Sequence, residues 1–186
     1  MASNIKDFLK GARTKHTVGQ VNSYNFDTII NGAICEENLD NFTMGEIHYK
    51  KGTSESGAEE VEAYVKKATA TTEAYDAVLL VTPEVRLNTG DFQELLCDFY
   101  NAKGERATCA ILAPNFTFET SAFDASEVAS TPAVGQYAVW DDVTSKFKLK
   151  TAPEGTEKKL FRVVEVTTDV NYSIDDAEMV MLTVLK

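Results

Sequence analysis

Cysteine is scarce in this chain: three in 186 residues, at Cys35, Cys97 and Cys109. An odd count, widely spaced and without a C-x-x-C pair, argues against a disulfide framework or a zinc site. All three are expected to be buried as small apolar side chains. Four Pro and ten Gly are too few for a low-complexity or collagen-like chain. Long apolar runs are missing too. The longest, Ala77-Val78-Leu79-Leu80-Val81, has strand length and falls far short of the roughly 18 residues of a membrane span. The N-terminal stretch MASNIKDFLKGARTKH lacks the apolar core of a signal peptide, so the chain is expected to stay in the cytoplasm where it is made. Three N-x-S/T sequons, at Asn41, Asn115 and Asn171, are then chance matches.

Basic residues are outnumbered, 18 against 29 acidic, for a formal net charge of -11. That balance disfavours nucleic acid and an anionic membrane as partners, because phosphate contacts need an excess of Lys and Arg. Histidine is limited to His16 and His48. Neither stands beside a Ser or Cys in a nucleophile motif. Walker A, G-x-G-x-x-G, G-x-S-x-G and H-E-x-x-H patterns are all absent. No catalytic residue, metal ligand or cofactor site is assigned, and the chain is expected not to be an enzyme.

What is present divides into a basic arm, residues 1–20, and a β-rich domain, residues 21–186. The arm holds Lys6, Lys10, Arg13 and Lys15 against Asp7, a net of +3, which leaves -14 on the other 166 residues. Ile5, Phe8 and Leu9 follow Ser3 at helical spacing, and Gly11 would end that short helix. The arm is either a frayed tail or a device that docks on an acidic surface.

In the domain, residues 26–30 and 33–35 read as two strands joined at Asn31-Gly32, a strong hairpin signal. Residues 43–49 are a further strand and 50–60 an exposed loop. Residues 61–66 fit a strand or a helix. Residues 76–82 form a buried strand stopped by Pro83. One internal helix is expected near 91–99, where Phe92, Leu95, Leu96 and Phe99 repeat at i, i+3, i+4 and i+7 behind Asp91. Further strands are read at 106–112, 116–121, 134–140, 146–150, 160–166 and 179–185. Short strands with turns between them make the chain mainly β: an antiparallel sandwich or barrel with one short internal helix and an N-terminal helical arm. The domain is built on one core or as two subdomains, 21–100 and 101–186.

Acidic pairs occur at Glu36-Glu37, Glu59-Glu60, Asp141-Asp142 and Asp175-Asp176. All sit in turn-rich stretches and read as solvated loops; two carboxylates held across a sugar would suit a glycosidase, and Asp141-Asp142 bridged to Asp175-Asp176 would suit calcium. Tyr137, Trp140 and Phe147 offer either a stacking platform for a sugar or a packed hairpin end.

Three stretches carry a resemblance: Leu80-Val81-Thr82-Pro83-Glu84-Val85; residues 99–106 with 116–122; and Val134-Gly135-Gln136-Tyr137-Ala138-Val139 with Phe161-Arg162-Val163-Val164-Glu165-Val166. Across residues 78–167 the chain resembles small virion proteins of tailed bacteriophages. The resemblance implies a non-enzymatic decoration or auxiliary head protein, resident in the virion and made in the bacterial cytoplasm. Its implied partners are the major capsid protein and copies of itself, as a homo-oligomer on the shell. Within that reading Phe8, Leu9, Lys10, Arg13 and Lys15 are the expected contacts, since a positive arm complements an acidic neighbour. The strand at 179–185, left at a sheet edge, would pair with another copy. The alternatives are a carbohydrate-binding β module on Tyr137, Trp140 and Phe147, a hydrolase using an acidic pair, and a neck or tail component.

Overall fold

Alternation of apolar and polar residues at a period of two dominates the chain, and it is realised as strand after strand. The structure is a computed structural model that describes residues 16–17, 19–22, 29–53, 59–83, 99–128, 131–169 and 177–186. Among the described residues there are twelve strands and no helix. The expected helix in the arm and residues 91–98 of the one expected near 91–99 lie outside the described residues, as does Cys97; Phe99 is described and is not helical.

Five strands close a barrel: β2 (Ile29–Cys35), β3 (Met44–Thr53), β4 (Glu59–Lys67), β5 (Ala77–Leu80) and β6 (Arg106–Ile111). Around the barrel the order is β2-β4-β3-β5-β6. The β2–β4 pair is parallel and the others are antiparallel. The remaining strands form an open sheet: β1 (Gly19–Val21), β7 (Thr117–Thr120), β8 (Phe123–Asp124), β9 (Tyr137–Asp141), β10 (Lys146–Lys150), β11 (Phe161–Asp169) and β12 (Ala177–Val184). Their order is β1-β7-β12-β11-β9-β10-β8. The architecture is therefore a barrel with a sheet laid against it, and not two facing sheets of a sandwich.

Burial explains why both parts stand together. The barrel interior holds Ala33, Cys35, Ile47, Val65, Val78, Leu80, Ala107 and Cys109, drawn from all five strands. A larger cluster lies between barrel and sheet. The barrel side contributes Phe42, Met44, Ala68, Ala77, Leu79, Ala110 and Leu112; the sheet contributes Phe118, Phe147, Leu149, Phe161, Val163, Val180 and Leu182. Strand β5 thus faces two cores at once, which is why it reads as an unbroken apolar run. At the centre, Phe161 meets Phe147 and Phe118 edge-on, with centroids 5.1 and 6.0 Å apart.

Several local expectations change. Asn31-Gly32 makes no hairpin. Strand β2 runs straight through it, and the register against β6 slips between Asn31 and Ala33. Gly32, at φ +84°, is the extra residue of a β-bulge, so the left-handed conformation that a hairpin would use bends one strand instead. Residues 61–66 are strand, inside β4, and β3 and β4 extend into the stretch 50–60 read as loop. The last strand is not at an edge. Strand β12 is paired on both sides, by β7 and β11, so its backbone is already satisfied and it offers no ladder to a second copy. Finally, His16, Thr17 and Gly19-Gln20, counted with the arm for their neighbours' charge, are built into the body.

Candidate functional site

Two places gather side chains across distant parts of the chain. The first is the seat of residues 16–22 along the free edge of β7. Gly19, Gln20 and Val21 pair with Thr120, Glu119 and Phe118, and the Asn22 amide donates to the Thr117 carbonyl at 2.9 Å. Ahead of the strand, His16 Nδ1 lies 2.6 Å from an Asp40 carboxylate oxygen, and its ring stacks on Tyr100 at 4.9 Å between centroids. The Thr17 hydroxyl reaches the other Asp40 oxygen at 3.5 Å.

Two further features make this seat selective. Gly19 is pressed so close that a Cβ would sit 2.1 Å from the Glu119 carbonyl oxygen and 2.7 Å from the Phe42 ring, so no larger residue fits. Glu119 is 5% exposed, and its Oε1 accepts from the Gln20 Nε2 at 2.8 Å and the Asn22 Nδ2 at 2.9 Å. A buried carboxylate needs such donors, and these two both come from the segment lying over it. Sequence reading missed Glu119, because in a strand of alternating residues it stands on the face opposite Phe116 and Phe118 and reads as solvated. The signal was its strand neighbourhood: an acid in the middle of a β run with amide residues, Gln20 and Asn22, spaced two apart on another.

The second place is the junction around Trp140. Its indole N–H donates to the Ala68 carbonyl at 2.8 Å, and its ring meets Phe147 edge-on at 5.2 Å. Nearby, Lys67 Nζ donates to the Asp142 carbonyl at 2.9 Å and the Ala70 N–H to the Asp142 carboxylate at 3.2 Å. Open grooves flank the indole: one is lined by Glu37, Asp40, Lys67 and Ser145, the other by Thr69, Thr72, Lys150 and Lys159. Burial lowers the Lys159 pKa, and its ammonium donates to the Leu112 carbonyl at 2.5 Å. Of the three aromatics read as a sugar platform, the structure brings together Trp140 and Phe147 but as core: Phe147 has no exposed surface. Tyr137 stands three residues from Trp140 along β9, so the pleat sends the two side chains to opposite faces. The platform is therefore absent and the packed hairpin end is what forms.

The side chains of Glu36-Glu37 and Asp141-Asp142 are tied into the fold. Glu36 binds Lys50, which holds its carboxyl below the usual range, and faces His48 Nε2 at 3.4 Å. Glu37 accepts from the Lys67 N–H at 2.8 Å. Asp141 accepts from Thr144 and the Val143 N–H, and the hydroxyl of Thr144 foremost lowers its pKa. Asp175 and Asp176 lie outside the described residues, as do the arm residues Phe8, Leu9, Lys10, Arg13 and Lys15. Among the described residues no group of three or more His, Cys, Asp and Glu is placed to hold a metal ion, and no helix is long and apolar enough to cross a membrane. Asn41, one of the sequon residues, is fully buried, where its side chain pairs with the Thr82 backbone and with Asn101.

A barrel fused to a sheet, with an extended N-terminal segment strapped to the sheet's edge, defines a β-protein whose best-built surface feature is a seat for a peptide strand. The comparison with known families places it further. A model of the YonC prophage protein family matches residues 12–185, and the chain belongs to that family. It is thus a phage-derived protein. No curated protein and no solved structure matches it.

Proposed function

We propose that this phage-derived protein is a non-enzymatic structural component of the virion, a decoration or auxiliary head protein that binds the capsid shell through its basic arm. The observation that carries the reading is the anchorage of the arm's root. His16 and Thr17 are held on Asp40, and β1 is laced to β7, so the residues that follow the arm in sequence are fixed on the body. A basic segment rooted on a body of opposite charge is suited to an acidic neighbour, whether major capsid protein or another copy. Family membership supports the phage setting.

The test is truncation of residues 1–15, which spares β1. The truncated chain is expected to melt like the full chain yet to lose co-sedimentation with empty phage heads. Unchanged binding would sink the arm as the contact. Sedimentation of the full chain with isolated tails, and not with heads, would move the protein to the neck or tail.

A further inference from the structure

Residues 16–17 and 19–22 lie against the body as a bound peptide lies in a receptor. Extended backbone adds a strand to an open edge, and a few side-chain positions set the fit. Position 16 supplies a ring to Tyr100 and a nitrogen to Asp40. Position 19 admits only Gly. Positions 20 and 22 supply amides to Glu119. The attachment is mostly polar. Val21, its apolar residue among those described, remains 40% exposed, so the segment shares little of the apolar burial that holds the rest of the fold.

We infer that this seat is an exchange site, and that in assemblies of this protein residues 16–22 of one copy occupy the β7 edge of a second copy. Every contact made within one chain is available unchanged between two, so exchange costs only the advantage of being tethered. That advantage shrinks where copies are packed side by side. The link to β2, residues 23–28, reaches at most about 20 Å, so exchanging copies must lie in direct contact. The seat itself selects the occupant: it is cut for this chain's own residues at positions 16, 19, 20 and 22, and a second copy carries that same strand.

The inference extends the proposed assembly role but does not require a shell, so it is tested in solution without phage heads. Two full-length variants are compared. Gly19→Val spoils the donor strand and leaves the β7 edge intact. Glu119→Lys spoils the acceptor and leaves the strand intact. Each alone is expected to be monomeric by light scattering, and the mixture at millimolar concentration is expected to double in mass as a one-to-one pair. A mixture that stays monomeric, or single variants that dimerise as well as the mixture, would overturn it. Should either variant misfold, a photo-cross-linker at Val21 in the wild-type chain gives an independent reading. Mixed isotopically labelled and unlabelled chains at the same concentration should yield labelled–unlabelled cross-links to β7. Cross-links within single chains alone would show the seat to be filled only from its own chain.

Discussion

The two described cysteines show how burial sets a side chain's chemistry. Cys109 is wholly buried in the barrel, and burial, with Cys35 a lesser neighbour, pushes its thiol pKa up to about 12. Cys35 rises to about 11, again mainly by burial, with the Glu105 charge adding to it. An unfolded cysteine ionises near 9, so the folded state keeps protons that the unfolded state sheds. Stability from these thiols is therefore whole below pH 9 and drains away between about 9 and 12. Denaturation by urea across that range should show a decline that the Cys35→Ala/Cys109→Ala chain largely lacks. Equal slopes in the two proteins would show that the thiols are not its cause. The expectation that cysteines serve as small apolar residues holds at both described positions. It was legible because scarcity and spacing left them no partner motif.

At the scale of elements, the strands at 76–82, 106–112, 146–150 and 160–166 were legible because each alternates or runs apolar against a core that the fold supplies. Asn31-Gly32 was misread for a physical reason. Left-handed backbone is what the pair encodes, and a two-residue turn and a bulge both use it. Which one forms depends on whether the following residues fold back or run on, and that is decided by β6 lying alongside. The space around Gly32 is ample, with the nearest foreign atoms, those of Arg106, 3.6 Å or more from an added Cβ. Gly32→Ala should thus lose about 1–2 kcal/mol from backbone conformation alone. A matched Gly32→Asn chain should recover part of it, since Asn tolerates this conformation better. Equal stability of Gly32→Ala and wild type in chemical denaturation would refute the bulge's demand. The seat for residues 16–22 was not legible. Its selectivity arises from Phe42 and Glu119, far away in sequence, closing on Gly19.

For the whole molecule, the division of the core decides cooperativity. Met44, Ala77, Leu79 and Ala110 of the barrel share one cluster with Phe118, Phe147 and Phe161 of the sheet. Neither part can open without exposing the other's side chains, and the Trp140 to Ala68 hydrogen bond crosses the same boundary. Calorimetry should therefore show a single transition with equal calorimetric and van't Hoff enthalpies. Two resolved transitions would mean that the barrel and the sheet stand independently. The central place of β12 has one more consequence. Barrel strands follow one another from residue 29 to 111, but the sheet is completed only by residues 177–184, which slot between β7 and β11. During synthesis, then, the barrel can close while the ribosome still holds the rest, whereas β7 and β11 wait, mutually unpaired, for the last strand to emerge. A pause in translation just short of residue 177 would leave nascent chains with a finished barrel, an apolar flank uncovered, and an open slot ready to accept the wrong strand.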